Sequence, residues 1–211
     1  RGRIARHVDE ERGLGAVLEP TLKDLRADKE QEFKALEAEE NPHALYLRVL
    51  AESDRALVIH GNYFSGAEID FMGANQDRLS VVYCPRTHDY FGHATYPLAE
   101  LLRRGARVAL GTDSRASNPD LDLLAEMRRV AELHPAIAPS VILRLGTLAG
   151  AEALGQAERS GSLRPGKRAD LVVLRLPEEP LGDPLEMLLH ASCPVARVYK
   201  AGELVFAAEG Y

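Results

Sequence analysis

Three short apolar runs, each ending near a polar residue, set the pattern of this chain: 55–60 (RALVIH), 79–84 (LSVVYC) and 107–113 (RVALGTD). Unbroken apolar runs of this length suit strands buried on both faces, as in a parallel sheet. Helices are predicted between and around them. One covers 42–51, opened by Pro42. Another starts at Ser65 and runs to about residue 76, with Glu68 three positions on as the capping-box partner. A third, 96–104, stops at Gly105. A fourth is predicted over 119–132, with Asn118 as cap and Pro119 in the first helical position. A fifth covers 140–154. Strands alternating with helices in this way read as βα units on a parallel sheet. Ligands bind at the carboxyl ends of such strands, so His60 and Asp113 are expected on one common rim.

The pattern differs at both ends of the chain. Residues 21–40 form a polar helical stretch with a thin stripe of Leu22, Leu25, Phe33 and Leu36, and residues 1–20 show no period. Beyond 157 comes a turn-rich segment, 161–168, then an apolar strand at 169–175. A hairpin at 197–206 is expected to turn at Ala201 and Gly202. The expected parts are an irregular or helical segment of uncertain origin (1–40), an α/β portion (41–157) and a small β portion (158–211).

Composition narrows the function classes. Apolar residues make up 45% and charged residues 27%, as in ordinary globular domains. A net charge of -6 argues against nucleic-acid binding, which needs a clustered basic footprint. No apolar run approaches the ~20 residues of a membrane span. The opening RGRIAR has no apolar stretch behind it and so is no signal peptide; a cytoplasmic location is expected. The missing initiating Met suggests a fragment. Cys84 and Cys193 have no CxxC partners, which argues for free thiols and against a zinc–thiolate site.

Each candidate residue has a functional and a structural reading. His60 and Asp113 are half of a metal site, or a hydrogen-bonded core imidazole and a turn carboxylate. His88 and His93 bracket Tyr90 and Phe91 on the segment after Cys84. They contact a heterocyclic substrate by hydrogen bonds and stacking, or pack their aromatic neighbours under a rim. Arg86 recognises a carboxylate or is a surface cation. Ser114 orients the Asp113 carboxylate or fills a turn. His43, His134 and His190 carry no motif and are read as structural.

The ordered motifs HGNY (60–63), CPRTHDYFGH (84–93), GTDSRASNP (111–119) and GSLRPGKRAD (161–170) together resemble the amidohydrolase superfamily. Within it they are most similar to the branch of cytosine, guanine and S-adenosylhomocysteine deaminases and triazine chlorohydrolases, over about residues 41–207. The resemblance implies an α/β fold. It would be the carboxyl-terminal part of a metal-dependent (β/α)₈ barrel, about its last three strands, with part of a small β-sandwich. A whole barrel takes ~250 residues. Such enzymes hold their metal with an HxH pair, histidines after the fifth and sixth strands, and an Asp after the eighth. His60 matches the sixth-strand His or its supporting equivalent. Asp113 matches the eighth-strand Asp, as ligand and as proton acceptor.

The chain departs from that pattern in having no HxH. His7 and Glu10 have the H-x-x-E spacing of the fifth-strand ligand and its proton shuttle, but the basic residues before them do not suit a buried strand. The implied activity is hydrolysis of non-peptide carbon–nitrogen bonds, with deamination of a purine- or nucleoside-like heterocycle first. The implied cofactor is a divalent ion, zinc first, with iron and manganese acceptable to the same ligands. A rival expectation is a non-catalytic half-barrel or interaction module. Two ligands fall short of the three or four that a tight zinc site has, so metal would not be retained. An exposed sheet edge would also favour self-association into a homo-oligomer. A third expectation is that another polypeptide supplies the first half of the barrel.

Overall fold

The computed structural model describes residues 42–177, 182–190 and 193–209. A boundary between two units falls between Arg48 and Val49, inside helix α1 (Pro42–Ala51). Every other element of the described residues belongs to the second unit.

The three apolar runs form β1 (Ala56–Ile59), β2 (Leu79–Tyr83) and β3 (Val108–Leu110), a parallel sheet in the order β1-β2-β3. The register sets Val58 beside Val81 and Val81 beside Val108. Strand β3 is wholly buried and β2 nearly so, whereas β1, at the edge, is half-exposed. Helix α2 (Gly66–Ala74) links β1 to β2 and carries the predicted capping box. Ser65 Oγ accepts from the Glu68 N–H at 3.3 Å, and Glu68 Oε2 accepts from the Ser65 N–H at 2.6 Å. Helices α3 (Pro85–Tyr90) and α4 (Leu98–Arg103) link β2 to β3. The α3 helix was not anticipated; at six residues it is too short to show a period.

Two helices after β3 differ from expectation. The fourth predicted helix begins not at Pro119 but as α5 (Leu123–Leu133), and its cap is Asp122, not Asn118. Asp122 Oδ1 accepts from the N–H groups of Leu124 at 2.8 Å and Ala125 at 3.1 Å. Asn118 is drawn into the interior instead. The stretch 140–154 is two helices, α6 (Pro139–Leu145) and α7 (Leu148–Ala153). They break at Gly146, where a β-carbon would come within 2.5 Å of Met127 Sδ.

Strands β4 (Leu171–Leu174), β5 (Val195–Lys200) and β6 (Glu203–Ala207) form an antiparallel sheet in the order β4-β5-β6, with helix α8 (Pro184–His190) between β4 and β5. The predicted hairpin turn is present. Ala201 and Gly202 both have positive φ, 52° and 86°, as a two-residue turn matched to strand twist requires. Every residue of β6 is exposed. Cys84 and Cys193 are buried free thiols. No helix among the described residues is long and apolar enough to cross a membrane.

Candidate active site

The site grows out of the ends of β1 and β3. The His60 N–H donates to the Val82 carbonyl at 2.8 Å, one ladder step beyond β1. The chain then turns sharply, with His60 at φ 70°. Gly111 N–H likewise donates to Tyr83 O at 3.0 Å, and two residues later Asp113 sits at φ 57°. A left-handed backbone costs a non-glycine residue on the order of 1–2 kcal/mol, and such outliers collect at functional sites. Here the two turns bring His60 Nε2 and Asp113 Oδ2 to 3.6 Å, with the side chains 37% and 29% exposed. Gly111 permits the approach of β3 to β2: a β-carbon there would lie 2.8 Å from Val82 Cγ1 and 3.3 Å from Cys84 Sγ.

Hydrogen bonds fix the Asp113 carboxylate from beneath. Oδ1 accepts from the Ser114 backbone N–H at 2.8 Å, and Oδ2 accepts from Ser117 Oγ at 3.4 Å. Ser117 Oγ in turn lies 3.0 Å from Thr87 Oγ1 on α3. The Ser114 hydroxyl instead accepts from the Ala116 N–H at 3.3 Å, so Ser114 orients the carboxylate through its backbone. The Cys84 thiol is pushed up to about 12, by burial first and then by the Asp113 carboxylate. It therefore stays a neutral thiol at ordinary pH.

A second carboxylate, Glu126 on α5, is completely buried. Its Oε1 accepts from Asn118 Nδ2 at 2.5 Å and its Oε2 from the Arg86 backbone N–H at 3.0 Å. Asn118 Nδ2 also donates to the Thr112 carbonyl at 2.7 Å. Burial raises the Glu126 carboxyl above its ordinary value, against the hydrogen bonds from Arg86 and Asn118. The Arg86 guanidinium is neither a free surface cation nor open to a substrate carboxylate. Its Nη1 and Nη2 donate to Asp120 Oδ1 and Oδ2 at 2.6 and 3.0 Å, and Asp120 is held down at about 2 by that pairing. Sequence reading missed Glu126. The available signal was an acidic residue on a helix face it shares with Met127 and Val130.

The two loop histidines occupy different settings. His88, on α3, is 5% exposed. Its Nε2 lies 2.7 Å from the Ala94 carbonyl and its Nδ1 3.1 Å from Asn62 Oδ1. Burial lowers its pKa. A neutral ring that donates Nε2–H to Ala94 must accept at Nδ1, which Asn62 meets when it turns its amide nitrogen inward. His93 is nearer the surface, its Nδ1 2.6 Å from the Tyr63 hydroxyl and its ring 5.8 Å from that of Phe91. Tyr63, Tyr90 and Phe91 are all exposed. Tyr96 donates to the His60 carbonyl at 2.6 Å and stacks on Tyr83, which steadies the turn that aims His60. His7 and Glu10 lie outside the described residues.

The His60–Asp113 separation suits two donors on one ion, since ligands at ~2.0–2.2 Å in a tetrahedral shell stand a little over 3 Å apart. Among the described residues, however, no group of three or more His, Cys, Asp or Glu side chains is placed to hold a metal. The pair fits zinc as two of its ligands and does not by itself close a site.

These features define an α/β protein with an imidazole and a carboxylate converging beyond the carboxyl ends of two parallel strands. Residues 25–205 match the model of the Amidohydrolase family, and the chain belongs to that family. It is 34% identical over 165 residues to the 5-methylthioadenosine/S-adenosylhomocysteine deaminase of Pyrococcus furiosus, covering 72% of this chain and 38% of that protein. With the protein of the same name from Moorella thermoacetica it shares 31% identity over 188 residues, 86% of this chain and 43% of the relative. Among solved structures, an adenosine deaminase from Xanthomonas campestris with bound zinc matches with a TM-score of 0.73 at 32% identity, over 86% of this chain and 42% of that one. Guanine deaminase from E. coli shares the fold, with a TM-score of 0.65 at 21% identity over 74% of this chain and 40% of that one. The chain thus spans about two-fifths of the length of these relatives.

Proposed function

We propose that this chain supplies about the last three strands of a metal-dependent (β/α)₈ barrel, with part of a small β-sandwich. The reaction proposed is deamination of a purine- or nucleoside-like heterocycle. The observation that carries the reading is the pair itself: His60 Nε2 and Asp113 Oδ2, 3.6 Å apart at the left-handed ends of β1 and β3, the two strands that flank β2. The deaminase names of the relatives supply the substrate class.

Water adds to the ring carbon that bears the amino group, the carbon–nitrogen bond breaks, and ammonia leaves. Asp113 accepts the proton of the attacking water at Oδ2 while Ser114 N–H holds Oδ1. His60 Nε2 stands 3.6 Å from Oδ2, where both atoms can face one ion. A divalent ion, zinc first, would supply Lewis-acid polarisation when bound, held by His60, Asp113 and donors outside the described residues. His7 and Glu10 have, in the sequence, the H-x-x-E spacing of a ligand and its proton shuttle. Substrate contact falls to His93, beside Tyr63 and Phe91, with His88 fixing Asn62 behind them.

A second reading, a non-catalytic module, is favoured by the lack of a three-ligand group among the described residues. Ammonia release separates the two. The zinc-supplemented chain is assayed with adenosine, 5-methylthioadenosine, S-adenosylhomocysteine and guanine, beside the Asp113→Asn and His60→Asn variants. The deaminase reading expects release by the unaltered chain that falls roughly 10²-fold or more in Asp113→Asn. Release no greater than zinc alone produces would decide for the non-catalytic module.

A further inference from the structure

We infer that Glu126 is a positioning residue, which acts through Asn118 to hold the Thr112–Asp113 turn in the form that aims the Asp113 carboxylate at His60. The inference rests on His60 and Asp113 being the reactive pair. A buried carboxylate is costly unless it is well hydrogen-bonded, and an apolar side chain of similar size often stabilises a fold as well or better. Glu126 lies on a buried helix face with Met127 and Val130, where apolar residues are the ordinary occupants. Its place there is explained by what its two oxygens connect.

Those oxygens tie together three backbone segments that meet under the site. Oε2 receives the Arg86 N–H, in the first turn of α3. Oε1 receives Asn118 Nδ2, whose second hydrogen goes to the Thr112 carbonyl. With that carbonyl held, the peptide unit between Thr112 and Asp113 keeps its orientation, and Asp113 stays at φ 57°. The same link sets the neighbouring Ser117, whose hydroxyl reaches Asp113 Oδ2. Asn118 is suited to the task because only a side-chain amide offers two N–H bonds from one atom at this length. An aspartate would offer none, and a serine only one.

The test reads geometry directly. In the isotopically labelled full chain, nuclear Overhauser contacts between the His60 ring and the Asp113 β-protons are compared with those between the ends of β1 and β2. The variants are Asn118→Leu, which keeps size and removes both donors, and Glu126→Gln, whose one carbonyl oxygen cannot serve both Asn118 Nδ2 and Arg86 N–H, so that the tie between them is broken whichever way the amide turns. The expected result is a clear His60–Asp113 contact in the unaltered chain, lost in Asn118→Leu and weakened in Glu126→Gln, with the β1–β2 contacts unchanged. A purely structural role would lower the unfolding midpoint and leave the His60–Asp113 contact at full strength in the folded molecules; that result overturns the inference. If Asn118→Leu does not fold, Glu126→Gln decides by the same criterion. Absence of the contact in the unaltered chain would overturn the reactive pair itself, and the proposed function with it.

Discussion

The described residues form two three-stranded sheets that solvent treats in opposite ways. In the parallel sheet β3 is buried throughout and β2 almost so, while in the antiparallel sheet every residue of β6 is exposed and Val172 of β4 is 61% exposed. Strand β4 (LVVL) is as apolar as β3 (VAL), so composition does not account for the contrast. Coverage does: α2 packs on β2, and α5, α6 and α7 pack on β3 and bury it. The strained residues divide the same way. His60 and Asp113 adopt positive φ at the rim of the parallel sheet with their side chains converging, whereas Ala201 adopts it in a hairpin turn that requires it. A left-handed residue in a tight hairpin is ordinary turn geometry; two such residues presenting an imidazole and a carboxylate to each other are what the proposed site is built from.

The contrast can be broken most forcefully in the cores. Leu79→Ala, in β2, empties a fully buried position and is expected to cost about 2–5 kcal/mol. The same truncation at Leu204, 55% exposed on β6, is expected to stay within ~0.5 kcal/mol. Urea unfolding of the two variants checks the difference, and equal losses would show that β6 is covered in solution.

Relief of strain gives a medium-sized test. Ala201→Asn creates an Asn-Gly turn and is expected to stabilise the chain by about 1 kcal/mol without altering any ammonia release. Asp113→Gly relieves a comparable strain but removes the proton acceptor, so a neutral or favourable change in unfolding midpoint should accompany loss of release. Thermal unfolding read beside the activity assay separates the two residues.

The smallest effect is electrostatic. The Arg86 fork holds Asp120 at about 2, below its ordinary 3.8. Because the folded-state value is depressed, this pair contributes stability above pH ~4, and the contribution is lost as pH falls through about 2. Asp120→Asn should flatten that part of the stability-versus-pH curve. The pair is solvent-exposed on the Asp120 side, so the change is expected to be modest. An unaltered slope would show that the fork does not hold the carboxylate in solution.

The legible and illegible parts of the molecule divide by the range of the forces involved. The Ser65–Glu68 capping box, the Ala201–Gly202 turn and the three strands could be read directly because each depends on residues within a few positions of one another. Asn118 shows the limit. Its sequence neighbours are those of a helix cap, yet in the fold it serves Glu126 and Thr112, and Asp122 takes over the cap. Gly146 ends α6, and Met127, nineteen positions earlier, occupies the space that a side chain there would need. Arg86 finds its carboxylate partner in Asp120, 34 positions further along the chain.

By itself the sequence determined the βα alternation, the ordered motifs of the family, and the placement of His60 and Asp113 at strand ends. Local backbone preferences and apolar runs are sufficient for those. Only the tertiary structure decided that the two side chains stand 3.6 Å apart, that a buried glutamate is joined through Asn118 to the Thr112 carbonyl beside Asp113, and which apolar strands are covered. Distances between residues far apart in the chain are set by how helices pack on the sheet, and no local pattern encodes that packing.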